Sequence, residues 1–173
     1  MRALRDLVST LAFLALMTGA VLLAWYWSGD PLSGRPRVVD GDTIVLSDER
    51  LRLRGIDAPE RGQSCRKGLR RIDCGARATE ALKRLVRGGV DCDGERIDRY
   101  GRRLVRCVAE GVDVNAEMVR RGWAVSYRGH SSEEAEARAA GRGLWAYEFE
   151  RPADHRRAKR ERSWWDALAG LFS

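Results

Sequence analysis

Residues 43–54 constrain the topology of this chain more tightly than any other stretch. Thr43–Leu46 is an apolar, β-branched run, Ser47-Asp48-Glu49-Arg50 reads as a turn, and Leu51-Arg52-Leu53-Arg54 alternates apolar with basic. Alternation at a period of two is the pattern of a half-buried strand, so Leu51 and Leu53 face a core while Arg52 and Arg54 face away. A turn this short cannot carry a crossover helix. The two strands must therefore pair antiparallel, and a parallel βαβ sheet fits poorly.

The rest of the domain follows the same punctuation. Residues 90–93 and 103–108 read as strands around an Asp98–Arg102 turn. Ala78, Ala81, Leu82, Leu85 and Val86 recur at helical spacing and stop at Gly88-Gly89. A second helix is predicted over 114–121, capped by Asp113 and ended by Gly122. A third opens at Ser131, where Glu134 has capping-box spacing, and fades at Gly141 and Gly143. No internal repeat is visible. Short strands, a helix, two more strands and two more helices predict an α+β fold: a five-stranded OB-type barrel with about three helices packed outside it.

Outside this domain, expected over 38–147, the composition changes. Arg2 and Arg5 precede residues 7–29, a stretch without charge that closes on Trp25, Tyr26 and Trp27. A bilayer core takes roughly 20 apolar residues as helix, and a cleavable signal has about 15 at most. Residues 1–29 are thus expected to be an uncleaved transmembrane signal anchor, with a cleaved signal the alternative. The basic flank would stay in the cytoplasm, leaving the rest periplasmic or extracellular. Residues 30–37 (DPLSGRPR) read as a linker. Residues 148–173 form a basic tail whose Trp164, Trp165, Leu168, Leu171 and Phe172 share a helical face, suited to the domain or to a membrane surface.

The four cysteines agree with export. Cys92 and Cys107 lie symmetrically about Arg99-Tyr100, so a hairpin closed there would bring them opposite each other; Cys65 and Cys74 bracket a short Gly- and Arg-rich loop. Two disulfides are expected, with free buried thiols as the alternative. Their spacing makes no zinc pattern. Net charge is +7, from 32 Lys and Arg against 25 Asp and Glu, which suits a phosphate polymer or anionic lipid.

Three clusters carry chemistry: Asp40-Gly41-Asp42-Thr43, Arg52 with Asp57-Ala58-Pro59-Glu60, and Asp98-Arg99-Tyr100-Gly101-Arg102. Each alone could be an ordinary turn. Together they supply short carboxylates for a hard cation, a longer carboxylate to activate water, and guanidiniums that pair with phosphate oxygens. That set suits phosphodiester hydrolysis. No histidine lies nearby to serve a His-metal nuclease.

The markers VVDGDT, Arg52 to Glu60, DRYGR and VNAEMVRRGWA resemble the thermonuclease (staphylococcal nuclease-like) family over about 38–145. The resemblance implies an OB-fold enzyme that cuts DNA and/or RNA with Ca²⁺ and leaves 3′-phosphate ends. It implies Asp42, Asp57 and the Ala58 backbone carbonyl as calcium ligands, and Arg52, Glu60 and Arg102 as the catalytic trio. Arg99 and Tyr100 would contact the terminal phosphate, with Asp40 and Asp98 in support. Ala58 stands where a Thr can occur, the Cys65–Cys74 loop carries more Arg than usual, and Tyr127 is only a candidate for base stacking. Two rivals remain. One is a catalytically silent, membrane-tethered nucleic-acid-binding module. The other is a DxDx(T/V) phosphatase, which Ile44 and the absence of a βαβ continuation disfavour.

Overall fold

The computed structural model describes residues 2–27, 32–94 and 96–169. The chain divides into two compact units, Met1–Pro31 and Leu32–Ser173. The first holds helix α1, Arg2–Trp27. Val8, Leu11, Phe13, Leu16 and Leu22 on it are exposed. Thr10 and Thr18 donate their hydroxyls back to the carbonyls of Asp6 and Leu14. Among the described residues no helix is long and apolar enough to cross a membrane. Residues 28–31 and the side chains of Trp25, Tyr26 and Trp27 lie outside the described residues, as do the Leu168 side chain, Leu171 and Phe172 of the expected apolar face.

The second unit is built on a seven-stranded sheet. Its strands are β1 (Leu32–Gly34), β2 (Arg37–Val38), β3 (Thr43–Leu46), β4 (Glu49–Leu53), β8 (Val90–Asp93), β9 (Arg103–Ala109) and β10 (Val112–Asp113). They run in the order β1-β8-β9-β4-β3-β2, with β10 also on β9. The sheet curls far enough for β1 to approach β3. Two small sheets complete the set: β5 (Ile56–Asp57) with β11 (Val125–Ser126), and β6 (Ser64–Lys67) with β7 (Arg70–Asp73).

The first predicted hairpin forms, with a tighter turn. Leu46 pairs with Glu49, so the turn is Ser47-Asp48 alone, both at positive φ. Two such residues give the turn whose twist matches the flanking strands. Leu51 and Leu53 are buried as the alternation requires. The β4–β9 pair is parallel, which their connection, long enough to hold a helix and β8, permits. The expected linker is partly strand: Leu32 to Gly34 pair with β8, and Leu32 packs on the core, its apolar side chain finding cover that a linker would lack.

The three predicted helices are α2 (Cys74–Leu85), α3 (Val114–Arg120) and α4 (Ser131–Ala139). Asp113 caps α3 through the Ala116 N–H, and Asp73 caps α2 through the Ala76 N–H. The capping box at Ser131 does not form. Glu134 instead accepts from the Ser126 N–H at 2.6 Å and pairs with Arg138 and Arg151. A further helix, α5 (Pro152–Ala169), occupies most of the basic tail. Both disulfides are present, Cys65–Cys74 and Cys92–Cys107, the second between residues directly opposite in the β8–β9 ladder.

Candidate active site

Asp42 and Arg52 meet because their strands are neighbours. Thr43 pairs with Arg52 across β3 and β4, and the Leu53 N–H donates to the Asp42 carbonyl. On the face away from Leu51 and Leu53, the Arg52 guanidinium forks between two carboxylates. Its Nη1 lies 2.5 Å from Asp42 Oδ1 and its Nη2 lies 2.9 Å from Asp57 Oδ1. Both aspartates are 4% exposed. Asp42 also accepts from the Thr43 hydroxyl and, through Oδ2, from the Ala58 N–H. Burial pushes the Asp42 carboxyl up to about 7 against the pull of Arg52, and Asp40 and Asp57 add to the rise. Burial works against the charge on Arg52 too, but Asp42 and Asp57 more than offset it and the net shift is upward. Three donors on one carboxylate favour its ionised form. Burial is what makes that form costly.

Gly41 is needed here for space. A Cβ at position 41 would stand 2.6 Å from the Ala58 Cβ and 2.8 Å from the Ala78 Cβ. Asp40 turns into its own loop, where it accepts the Asp42 N–H.

Glu60 follows β5 on a loop held by Gln63. The Glu60 N–H donates to Gln63 Oε1 and the Gln63 N–H to the Glu60 carbonyl. Gln63 is 1% exposed; its carbonyl accepts from Cys74 and Gly75, and its Nε2 donates to the Glu150 carbonyl at 2.7 Å. The Glu60 side chain is 41% exposed, with Oε1 2.8 Å from Arg156 Nη1. Arg156 Nη2 lies 2.9 Å from Asp57 Oδ2. The charge on Arg156 is favoured despite burial, through its bonds to Asp57 and Glu60.

The third cluster stands apart. Asp98 accepts from the Tyr100 and Arg102 N–H groups, and its Oδ2 takes Arg102 Nε at 2.9 Å and Nη2 at 2.7 Å. What burial there is opposes ionisation, but these donors hold its carboxyl below the usual range. Tyr100 is 64% exposed with Arg99 and Arg102 against its ring, at 4.9 and 5.3 Å from the centroid. The structure thus gathers Asp42, Arg52, Asp57 and Glu60 into one connected set, and holds Arg102 on its own turn. A cleft of roughly 910 Å³ joins the two regions, lined by Arg52, Asp57, Asp98, Asn115, Tyr127 and Arg156 among others.

Three residues of this neighbourhood have no role assigned from the sequence. Gln63 and Asn115 are buried polar hubs. Asn115 accepts from the Cys107 N–H and donates to the Arg54 and Val105 carbonyls, joining α3 to β9 and to the residue that follows β4. The Asn within VNAEM is its only sequence signal. Arg156 had none, being one of several Arg in a basic run.

The donor set suits a hard cation. Asp42 and Asp57 offer only oxygen, and both reach one guanidinium, so they stand close together. Among the described residues no group of three or more His, Cys, Asp or Glu is placed to hold a metal. Backbone carbonyls and water would have to supply the remaining ligands.

A curled sheet flanked by helices, with carboxylates and guanidiniums converging near strand ends, suits a hydrolase acting on phosphodiesters. The chain belongs to the staphylococcal nuclease homologue family, whose family model matches residues 50–147. It is 35% identical over 165 residues to a micrococcal nuclease of Shigella flexneri, covering 80% of this chain and 88% of that one. It is 39% identical over 122 residues to an uncharacterized endonuclease of Escherichia coli O157:H7, covering 64% and 74%. It is also 35% identical over 142 residues to a succinoglycan biosynthesis protein of Rhizobium meliloti, covering 73% and 74%.

Proposed function

We propose that this nuclease is a calcium-dependent phosphodiesterase that cleaves DNA and/or RNA and leaves 3′-phosphate ends. The observation that carries the reading is the Arg52 fork between two buried aspartates beside Glu60. Asp42, Asp57 and the Ala58 carbonyl would hold the ion. When bound, calcium polarises the phosphoryl group and offsets its charge. Glu60, long enough to reach past the buried pair, takes a proton from the attacking water at its carboxylate. Arg52 and Arg102 donate to the phosphoryl oxygens as charge develops on them. Arg99 and Tyr100, exposed on the hairpin tip, meet the terminal phosphate.

The nuclease domain works outside the cytoplasm, tethered to a membrane by the segment that contains α1. Supporting this are the uncharged run from residue 7, the exposed apolar side chains of α1, and two disulfides of the kind that persist in oxidising compartments.

Digestion of end-labelled DNA and RNA, with calcium and with a chelator, tests the catalytic reading. Cleavage to 3′-phosphate ends that stops with the chelator is the expected result. Tight binding of nucleic acid without cleavage in calcium would contradict it and favour the silent binding module.

A further inference from the structure

We propose that Arg156 of the C-terminal helix is a positioning residue of the active site, an internal counter-cation that calcium must displace. This rests on the calcium reading above. It concerns a residue outside the segment matched by the family model.

The contact is built in. Residues 65, 74, 125 and 144 form a second buried cluster, against which Ile72, Trp123, Trp145, Tyr147 and Phe149 pack. That cluster carries the chain from α4 to the start of α5. Gln63 then fixes the Glu150 carbonyl, Arg151 pairs with Glu134 at 3.1 Å, and Pro152 is buried at the first position of the helix, where its missing N–H costs nothing. One turn on, Arg156 meets Asp57 and Glu60, residues 99 and 96 positions away in sequence. The entry to α5 is thus held at Glu150, Arg151 and Pro152, and the guanidinium reaches the site from a fixed base.

The consequence is electrostatic. Asp57 shares its two oxygens between Arg52 and Arg156, and Glu60 gives one to Arg156. A divalent ion taking Asp57 as ligand would sit within a few ångströms of that guanidinium, in a partly buried site where like charges repel strongly. Ion and guanidinium therefore compete for Asp57. The coupling is reciprocal: whatever Arg156 takes from calcium affinity, calcium takes from the hold on α5. Once displaced, Arg156 leaves Glu60 free to accept a proton, and it stays on the wall of the cleft that phosphate would enter.

Calorimetric titration of calcium into the purified full-length protein reads this directly. Arg156→Ala should bind calcium about tenfold more tightly than wild type, within the usual range for such coupling. Arg156→Lys, which keeps the charge but loses the fork, should fall between. Hydrogen exchange of wild type supplies a readout independent of any variant's folding: calcium should speed exchange in residues 153–158. Equal or weaker binding by a folded Arg156→Ala protein, or exchange unchanged by calcium that binds, overturns the proposal and leaves the nuclease reading intact. No calcium binding in either protein overturns the calcium reading, and the proposal with it.

Discussion

The strand floor around Asp42, Arg52 and Asp57 and the hairpin tip at Asp98–Arg102 carry similar residue types under opposite conditions. In the floor the carboxylates are buried and their partners come from other strands and from a helix far along the chain. At the tip every bond runs within five residues, and Tyr100 and Arg99 stand in solvent. A charge in the floor cannot lose its partner without leaving a buried ion behind. A charge at the tip loses only a local clamp. Floor residues should therefore be coupled to folding, whereas tip residues can be tuned for substrate at little structural cost.

The sharpest way to break that contrast is a pair of truncations. Arg52→Ala should cost about 3–5 kcal/mol, because Asp42 and Asp57 are left buried together. Arg102→Ala should cost about 1 kcal/mol or less, being a short-range pair at a turn. Denaturant unfolding of both decides; equal losses would erase the distinction. Next in size is the staple beneath the tip. Replacing Cys92 and Cys107 by Ser reopens a loop with a sequence separation of 15, worth about 3 kcal/mol in the chain-entropy model, and should loosen Arg102 as well.

Gly75→Ala probes the floor's edge. Its Cβ would fall 1.9 Å from the Glu60 carbonyl, so the Glu60 loop must shift. A stability loss of about 1–3 kcal/mol is expected, with turnover falling further than that loss alone would cause. The smallest effect is acid sensitivity. Asp98 and Asp113 have folded pKa values below the ordinary one, Asp113 through its cap bond to the Ala116 N–H and its pair with Arg106, against the cost of burial. The stability they contribute is present above about pH 4 and lost as pH falls through their folded values. Melting from pH 5 to 2 should show a shallow decline, flattened in Asp98→Asn and Asp113→Asn.

The contrast also explains what the sequence could reveal. Strand alternation placed Leu51 and Leu53 inside and Arg52 opposite, and the symmetry about Arg99-Tyr100 predicted the Cys92–Cys107 pair, because both are local rules of pleat and register. The Asp113 cap and the Gly122 stop were legible for the same reason. Glu134 departs from its expected cap because that role competes with a tertiary partner, the Ser126 N–H, which spacing cannot show. Leu32 in β1, the Gln63 hub and the Arg156 contact all depend on distant chain segments meeting. No local periodicity marks them.

The most direct test of the central claim is single-turnover cleavage by folded Glu60→Gln protein in saturating calcium. Circular dichroism should match wild type, since the substitution keeps size; it removes the base together with the charge that pairs with Arg156, so calcium is held saturating for both proteins. If Glu60 activates the attacking water at this site, the rate should fall by roughly 10²–10⁴-fold. Cleavage within about twofold of wild type would place the reaction at some other group and contradict the assignment.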